Sequence, residues 1–213
     1  MKVKLENVLP HEIEKRSFEM IGQELGDIVL DPTLEPIIKR VIHTTADFDY
    51  INNLKFSDGA VSRSLEALKK GATIVTDTRM AWSGVNKRIL EELGGKAVCF
   101  ISDEDVAEEA KAKGTTRATA SMDKAAGLTG PLIFAIGNAP TALVRLYELI
   151  KDGKLRPELI IGVPVGFVNV VESKELIMEL EIPYIVAQGR KGGSNVAAAI
   201  CNALLYQCKE RES

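Results

Sequence analysis

Apolar residues in the first quarter of the chain recur at helical spacing. Ile13, Phe18, Ile21 and Leu25 mark one face of a helix opened by Pro10 and predicted to reach Leu25, with Arg16 and Ser17 away from the centre of that face. Leu34, Ile37, Ile38, Val41 and Ile42 mark a second helix, Leu34 to about Thr45. Phe48 to Leu54 reads as a short extended piece. Ser57 or Asp58 is placed to cap a helix running to Lys70, where Gly71 stops it.

From Ala72 onward the pattern is one of short apolar runs alternating with amphipathic stretches. Strands are predicted at Ala72–Asp77, Ala97–Ser102, Pro131–Ile136, Glu158–Val163 and Tyr184–Ala187. Helices are predicted at Met80–Leu93, Asp103–Lys113, Thr115–Ala126, Pro140–Lys151, Val170–Leu180 and Ser194–Gln207. Each of the five strands is followed by a helix, and the strands read as continuous β-branched runs rather than alternations. That combination implies a mostly parallel, doubly wound sheet with helices on both faces. No repeat, linker or shift in composition divides the chain. The expected architecture is a single α/β domain over residues 1–213 with an N-terminal helical extension.

Composition adds limits. At 46% hydrophobic and 27% charged the chain has the content of an ordinary globular protein, and its net charge of -3 gives no global pull toward nucleic acid or anionic membrane. Anion binding, if present, has to be local. Cys99, Cys201 and Cys208 form no CxxC pair and lie in apolar surroundings, which reads as reduced core thiols in a cytoplasmic protein. Met1 to Glu6 leads straight into a charged helix without the pattern of a secretory leader. The longest apolar run, Leu159 to Val168, is interrupted by glycine and proline and is too short to span a bilayer.

Ligands of doubly wound folds sit outside the carboxyl ends of the strands. The turns predicted there carry glycines and helix N-termini: Thr76 to Arg79, Ser102-Asp103, Gly137 to Thr141, Gly162 to Gly166 and Gln188 to Ser194. The last holds Gly189, Arg190, Lys191 and Ser194 beside a helix start, a composition suited to cradling an anion. Arg79, Arg117 and Asn138 open other helices at the same edge, where each could equally be an ordinary solvated or capping residue. One further group stands out. At about 100° per residue His43 falls opposite the apolar stripe of its helix. Arg40, Thr44, Thr45, Asp47 and Asp49 lie within seven residues of it. The helix end and the two carboxylates would favour an imidazolium there, beside an anion-binding arginine.

Several chemistries lack their signatures. There is no GxGxxG, GxxxxGK[ST] or GxSxG, and neither a cysteine cluster nor HxxxH that would hold a metal. One tryptophan and no basic stripe argue against nucleic-acid stacking. The residues therefore point to an enzyme or binder for a polyanionic small molecule, with His43 as the acid–base candidate and no cofactor or resident metal expected. A non-catalytic organic-anion binder on the same fold remains open at this point. A nucleotide-dependent transferase is disfavoured by the missing phosphate motifs.

Six blocks carry a more specific likeness: Arg40 to Phe48, Thr76 to Met80, Thr116 to Ala118, Ala135 to Leu143, Gly162 to Asn169 and Gly189 to Ser194. In order and in sequence they resemble the precorrin-8X methylmutases of cobalamin biosynthesis across nearly the whole chain. The resemblance implies an isomerase that moves a methyl group from C-11 to C-12 of a contracted tetrapyrrole, metal-free or cobalt-containing. It implies His43 as proton donor and acceptor, and contact of Ser17 and Arg40 with the substrate. It also implies a homodimer, and leaves open handover of substrate between neighbouring pathway enzymes. Thr44, Arg79, Arg117, Asn138, Gly189, Arg190, Lys191 and Ser194 complete the expected site, chiefly as anion-binding groups for the substrate's carboxylates.

Overall fold

A computed structural model describes residues 6–210 of the chain; the reading of Met1 to Leu5 falls outside that range. A 3-10 turn, Pro10–Glu12, leads into α1 (Ile13–Leu25), followed by α2 (Glu35–Thr45), α3 (Tyr50–Asn53) and β1 (Leu54–Phe56). Then come α4 (Ala60–Lys69), β2 (Thr73–Thr76), α5 (Arg79–Gly84), α6 (Lys87–Glu92) and β3 (Lys96–Val98). The second half comprises α7 (Glu104–Ala112), α8 (Arg117–Ala126), β4 (Leu132–Ile136), α9 (Pro140–Lys151), β5 (Leu159–Gly162), α10 (Val170–Met178), β6 (Tyr184–Ala187) and α11 (Ser194–Glu210).

The sheet order is β1-β6-β5-β4-β2-β3, parallel throughout except for β1, which pairs antiparallel with β6. Central strands β2, β4 and β5 are buried along their whole length, as strands covered on both faces must be. One face carries α2, α4, α5, α6 and α11, with α1 packed outside α2. The other carries α8, α9 and α10. The expected doubly wound α/β architecture with helices on both faces is what the chain adopts.

Differences are local and have causes. The strand expected within Phe48–Leu54 begins only at Leu54, because Thr45 Oγ1 and Asp47 Oδ1 accept from the N–H groups of Asp47 and Asp49 and wind the chain into α3. The sheet consequently gains a sixth strand. Ser57 does not cap α4, whose N-cap is Gly59 at φ 68°. Its backbone and hydroxyl instead bond Tyr184, extending the β1–β6 ladder. The helix expected over Met80–Leu93 is two helices. Asn86 caps the second by accepting from Ile89 N, while its own N–H bonds Asn202 Oδ1 at 2.7 Å. β3 pairs with β2 only over Lys96–Val98, and the chain then turns at Phe100, whose carbonyl accepts from Asp103 N. Ile13, placed on the apolar face of α1, is exposed, and Ile21 and Leu25 carry that face.

All three cysteines are buried thiols, and burial pushes that of Cys201 up to about 12. Among the described residues no helix is long and apolar enough to cross a membrane, and no cluster of three or more His, Cys, Asp or Glu could hold a metal ion.

Candidate functional site

The parallel strands β2, β4, β5 and β6 end on one edge. At the topological switch point, β2 is followed by β3 on one side while β4 leads to β5 and β6 on the other. A ligand is normally expected in the crevice there. In this protein the crevice is closed by Asp77, the residue after β2. Its carboxylate, 1% exposed, accepts from the N–H groups of Gly137, Asn138 and Ala139 at 2.9, 2.8 and 2.7 Å. Burial pushes its pKa above the ordinary carboxylate value, and the three donors partly offset that. An internal anion thus occupies the N–H groups that a ligand would otherwise meet. Asn138 keeps an exposed side chain, but its backbone donor is taken.

The edge is drawn tight around this point. A Cβ on Gly137 would lie 2.6 Å from Ser194 Cα, so β4 can approach the start of α11 only with glycine there. Ser194 Oγ and Thr78 Oγ1 share a hydrogen bond of 2.8 Å, and Thr78 caps α5 through Ala81 N. Arg79 follows at the surface, its guanidinium over the ring of Trp82. Arg117 opens α8 on the opposite layer. It is linked to the rim only indirectly, through the Thr116–Thr141 hydroxyl contact at the start of α9.

Beyond β5 the rim opens. The β6–α11 turn packs on the residues after β5: Gly193 N donates to Val163 O, and Gly166 N to Arg190 O. Gly192 permits this, since a Cβ there would fall 2.1 Å from Val163 O. The Arg190 guanidinium lies over the exposed ring of Phe167. Lys191 reaches across to the end of α2, where its ammonium is 2.6 Å from both Asp47 and Asp49. Those two carboxylates had been expected to favour a charged His43. They are engaged by Lys191 instead, whose hydrogen bond holds Asp47 below the usual carboxylate range. The same contact ties the segment bearing His43 to the glycine-rich turn.

His43 sits in the last turn of α2 with an exposed side chain, as its position opposite the stripe of Ile37, Ile38, Val41 and Ile42 requires. Its ring stacks on Phe18 of α1, centroids 5.2 Å apart and planes 19° apart. Arg40, one turn earlier, places its guanidinium 4.7 Å from the Phe18 centroid and 4.9 Å from that of Tyr206 on α11, and pairs with Glu14. Tyr206, Arg40, Phe18 and His43 therefore form one continuous stack across three helices. Beside it opens a cavity of about 430 Å³ lined by His11, Lys15, Lys39 and Arg40 together with Glu14 and Glu35, which pair with Arg40 and Lys39. Ser17 is half-buried on α1 with its hydroxyl donating to Ile13 O at 2.9 Å, and Thr44 is exposed beside His43.

Two groups of expected site residues thus come together: Ser17, Arg40, His43 and Thr44 at the α1–α2 pair, and Gly189, Arg190, Lys191 and Ser194 at the β6–α11 turn. Lys191 joins them. Arg79 and Asn138 continue the same rim, and Arg117 stands apart. Phe18, Tyr206 and Asp77 were not singled out from sequence. The first two looked like ordinary members of helix faces, and the third like a turn residue.

Comparison with known proteins gives a consistent result. The precorrin-8X methylmutase family model matches residues 12–207. A cobalt-precorrin-8 methylmutase of Priestia megaterium is 47% identical over 197 residues, 92% of this chain and 88% of that protein. One of Salmonella typhimurium is 47% identical over 94% of this chain and 97% of its own length. The crystal structure of a precorrin-8x methyl mutase from Thermus thermophilus superposes with a TM-score of 0.87 at 39% identity, covering 95% of this chain and all of that one.

Proposed function

Since the chain belongs to the precorrin-8X methylmutase family, an isomerase family of cobalamin biosynthesis, we propose that it moves the methyl group at C-11 of its tetrapyrrole substrate to C-12, with His43 as the proton donor and acceptor. The observation carrying this reading is the placement of His43: exposed, held flat by Phe18, and one turn from Arg40. Migration of a methyl group beside a ring nitrogen is helped by a proton on the conjugated system, which draws electron density from the migration origin. An exposed imidazole can deliver that proton and recover it once the π-system has rearranged. No redox step is involved, and the reaction as written asks for no cofactor.

The substrate carries several carboxylates. Ser17 and Arg40, with the mixed-charge cavity beside them, and the turn from Gly189 to Ser194 are the groups that would receive them. Arg79, Asn138 and Thr44 lie on the same rim and serve as its outer contacts. Arg117 is the most remote of the set. We take the cobalt-containing precursor as the natural substrate. Three relatives at 47% identity are cobalt-precorrin-8 methylmutases, whereas the precorrin-8x methyl mutase of Thermus thermophilus is at 39%. The product would then be cobyrinate rather than hydrogenobyrinate. A cytoplasmic homodimer that exchanges substrate with neighbouring pathway enzymes completes the proposal.

The test is spectrophotometric titration of the protein with cobyrinic and hydrogenobyrinic acids, beside the His43→Ala variant. Saturation near one corrinoid per chain, tighter for the cobalt compound, with bands perturbed differently in the variant, supports the reading. No binding of either corrinoid would defeat it.

A further inference from the structure

Lys174, on α10, is 1% exposed, and its side chain belongs to the described interior rather than to the surface. Among the described residues no carboxylate pairs with it. Its ammonium donates to two backbone carbonyls of the β6–α11 turn, Gly189 O at 2.7 Å and Lys191 O at 2.9 Å. Burying an ammonium without a counter-ion is costly, and burial brings its pKa down to about 8. A methionine would fill the same space without that penalty, so packing alone does not account for a lysine here.

The two hydrogen bonds have a geometric consequence. In a trans peptide the carbonyl and the following N–H point in opposite directions. Drawing the oxygens of Gly189 and Lys191 toward Lys174 therefore turns the N–H groups of Arg190 and Gly192 away from it. Arg190 O, between them, is taken by Gly166 N. Three successive carbonyls of the turn are thus each engaged by a donor from elsewhere in the fold. Among the described residues no acceptor is found for the N–H groups of Arg190, Lys191 or Gly192. Backbone donors left open in succession like this can make an anion-binding concavity.

We propose that Lys174 is a positioning residue for the methylmutase reaction: its buried ammonium fixes the peptide planes of the β6–α11 turn so that the Arg190 and Gly192 N–H groups face a carboxylate of the substrate. This rests on the reading of that turn as part of the substrate site. The arrangement is the inverse of Asp77, which turns the N–H groups after β4 inward and removes them from use. Charged groups on the surrounding elements are committed elsewhere. Lys191 is held by Asp47 and Asp49, Arg190 lies over Phe167, Arg145 of α9 pairs with Asp123 and Glu148, and Glu172 and Glu175 of α10 are exposed. Tyr184 of β6 is half-buried.

The experiment measures cobyrinic acid affinity from pH 6.5 to 9.5, as an assay range of about three units, for the wild type, Lys174→Met, Lys174→Arg and Gly192→Ala. Near-UV circular dichroism serves as the fold control. The wild type should lose affinity as pH rises through about 8, where the ammonium discharges. Lys174→Met should bind roughly tenfold more weakly, with that pH limb gone. Lys174→Arg, charged throughout, should keep most of the affinity and hold it to the top of the range. If Lys174→Met fails to fold, the arginine variant decides: an alkaline limb equal to that of the wild type overturns the proposal. So does a folded Lys174→Met with wild-type affinity and pH profile. Unchanged binding by Gly192→Ala overturns the reading of the turn itself, and the proposal with it. Weakened binding there with an inert Lys174→Met defeats the proposal alone.

Discussion

The ring of Phe18 lies 5.2 Å from that of His43 and the guanidinium of Arg40 4.7 Å from the same ring, so one phenylalanine on α1 touches the proposed proton carrier and the proposed carboxylate receiver on α2. Neither side chain of α2 is oriented by its own helix alone. α1 itself buries only Ile21 and Leu25, which makes it the lightly anchored partner. The stack with Arg40 and Tyr206 helps to hold it in place.

Replacing His43 by alanine should lower turnover by about 10²–10⁴-fold, the usual span for loss of a general acid–base group. Product affinity should stay within a few-fold of the wild type, because carboxylate contacts through Arg40 remain. Steady-state assay with cobalt-precorrin-8 and equilibrium titration with cobyrinic acid read the two quantities separately. Parallel loss of both would point to a binding role.

Phe18→Leu keeps an apolar residue on α1 but removes the stacking surface. The aromatic and cation–π contacts together are worth about 1–2 kcal/mol. Urea unfolding should show a loss of that order, and turnover should fall while His43 is still present. Wild-type activity at wild-type stability would show that the stack has no orienting role.

The Lys191 bridge predicts an acid-side effect. Asp47 has its pKa depressed by the Lys191 hydrogen bond. Its stabilising contribution is therefore complete above the unfolded value of 3.8 and is lost as pH falls through the lower folded value. Asp47→Asn should remove that part of the acid limb of a thermal-stability profile. The pair is partly exposed, so the gain near neutrality is small and shrinks further in high salt. A variant with the same acid limb as the wild type would show the bridge to be energetically silent.

Asp77→Asn probes the closed switch point. The amide can present an oxygen to Asn138 N and Ala139 N, but its NH₂ then faces the N–H of Gly137. One buried donor without an acceptor costs about 1–3 kcal/mol. The loss should appear in chemical denaturation even when corrinoid affinity is little changed. Unaltered stability would mean that the turn finds other acceptors.

Much of this was legible in the chain. Buried parallel strands announce themselves as unbroken apolar runs, and His43 stood out because it lies opposite its helix's stripe. What escaped were contacts between distant segments. Phe18 and Tyr206 meet Arg40 across 188 residues of sequence, and each alone reads as a helix-face aromatic. Lys191 was expected as an open cation for the substrate, and no local pattern says that Asp47 and Asp49 reach it. Lys174 did leave a trace. It occupies the buried stripe of Val170, Ser173 and Ile177, where a lysine is out of place unless something internal receives its charge.

β1 joins β6 in the sheet through the Leu54–Ala187 to Phe56–Ile185 register, and Asn53 O accepts from Gln188 N just beyond it. The strand that follows the His43 segment thus finds its partner far along the chain, beyond all of the other strands. Pairings so far apart along the chain close late in folding, after the local helices and the β2–β4 centre have had time to settle. A nascent chain halted before Tyr184 would carry His43 on a segment with no strand to dock against, no Lys191 to secure it and no Tyr206 under Arg40. Such a fragment would carry the proposed proton-transfer group without the surroundings that would make it useful, and the enzyme would become competent only once β6 and α11 have joined it.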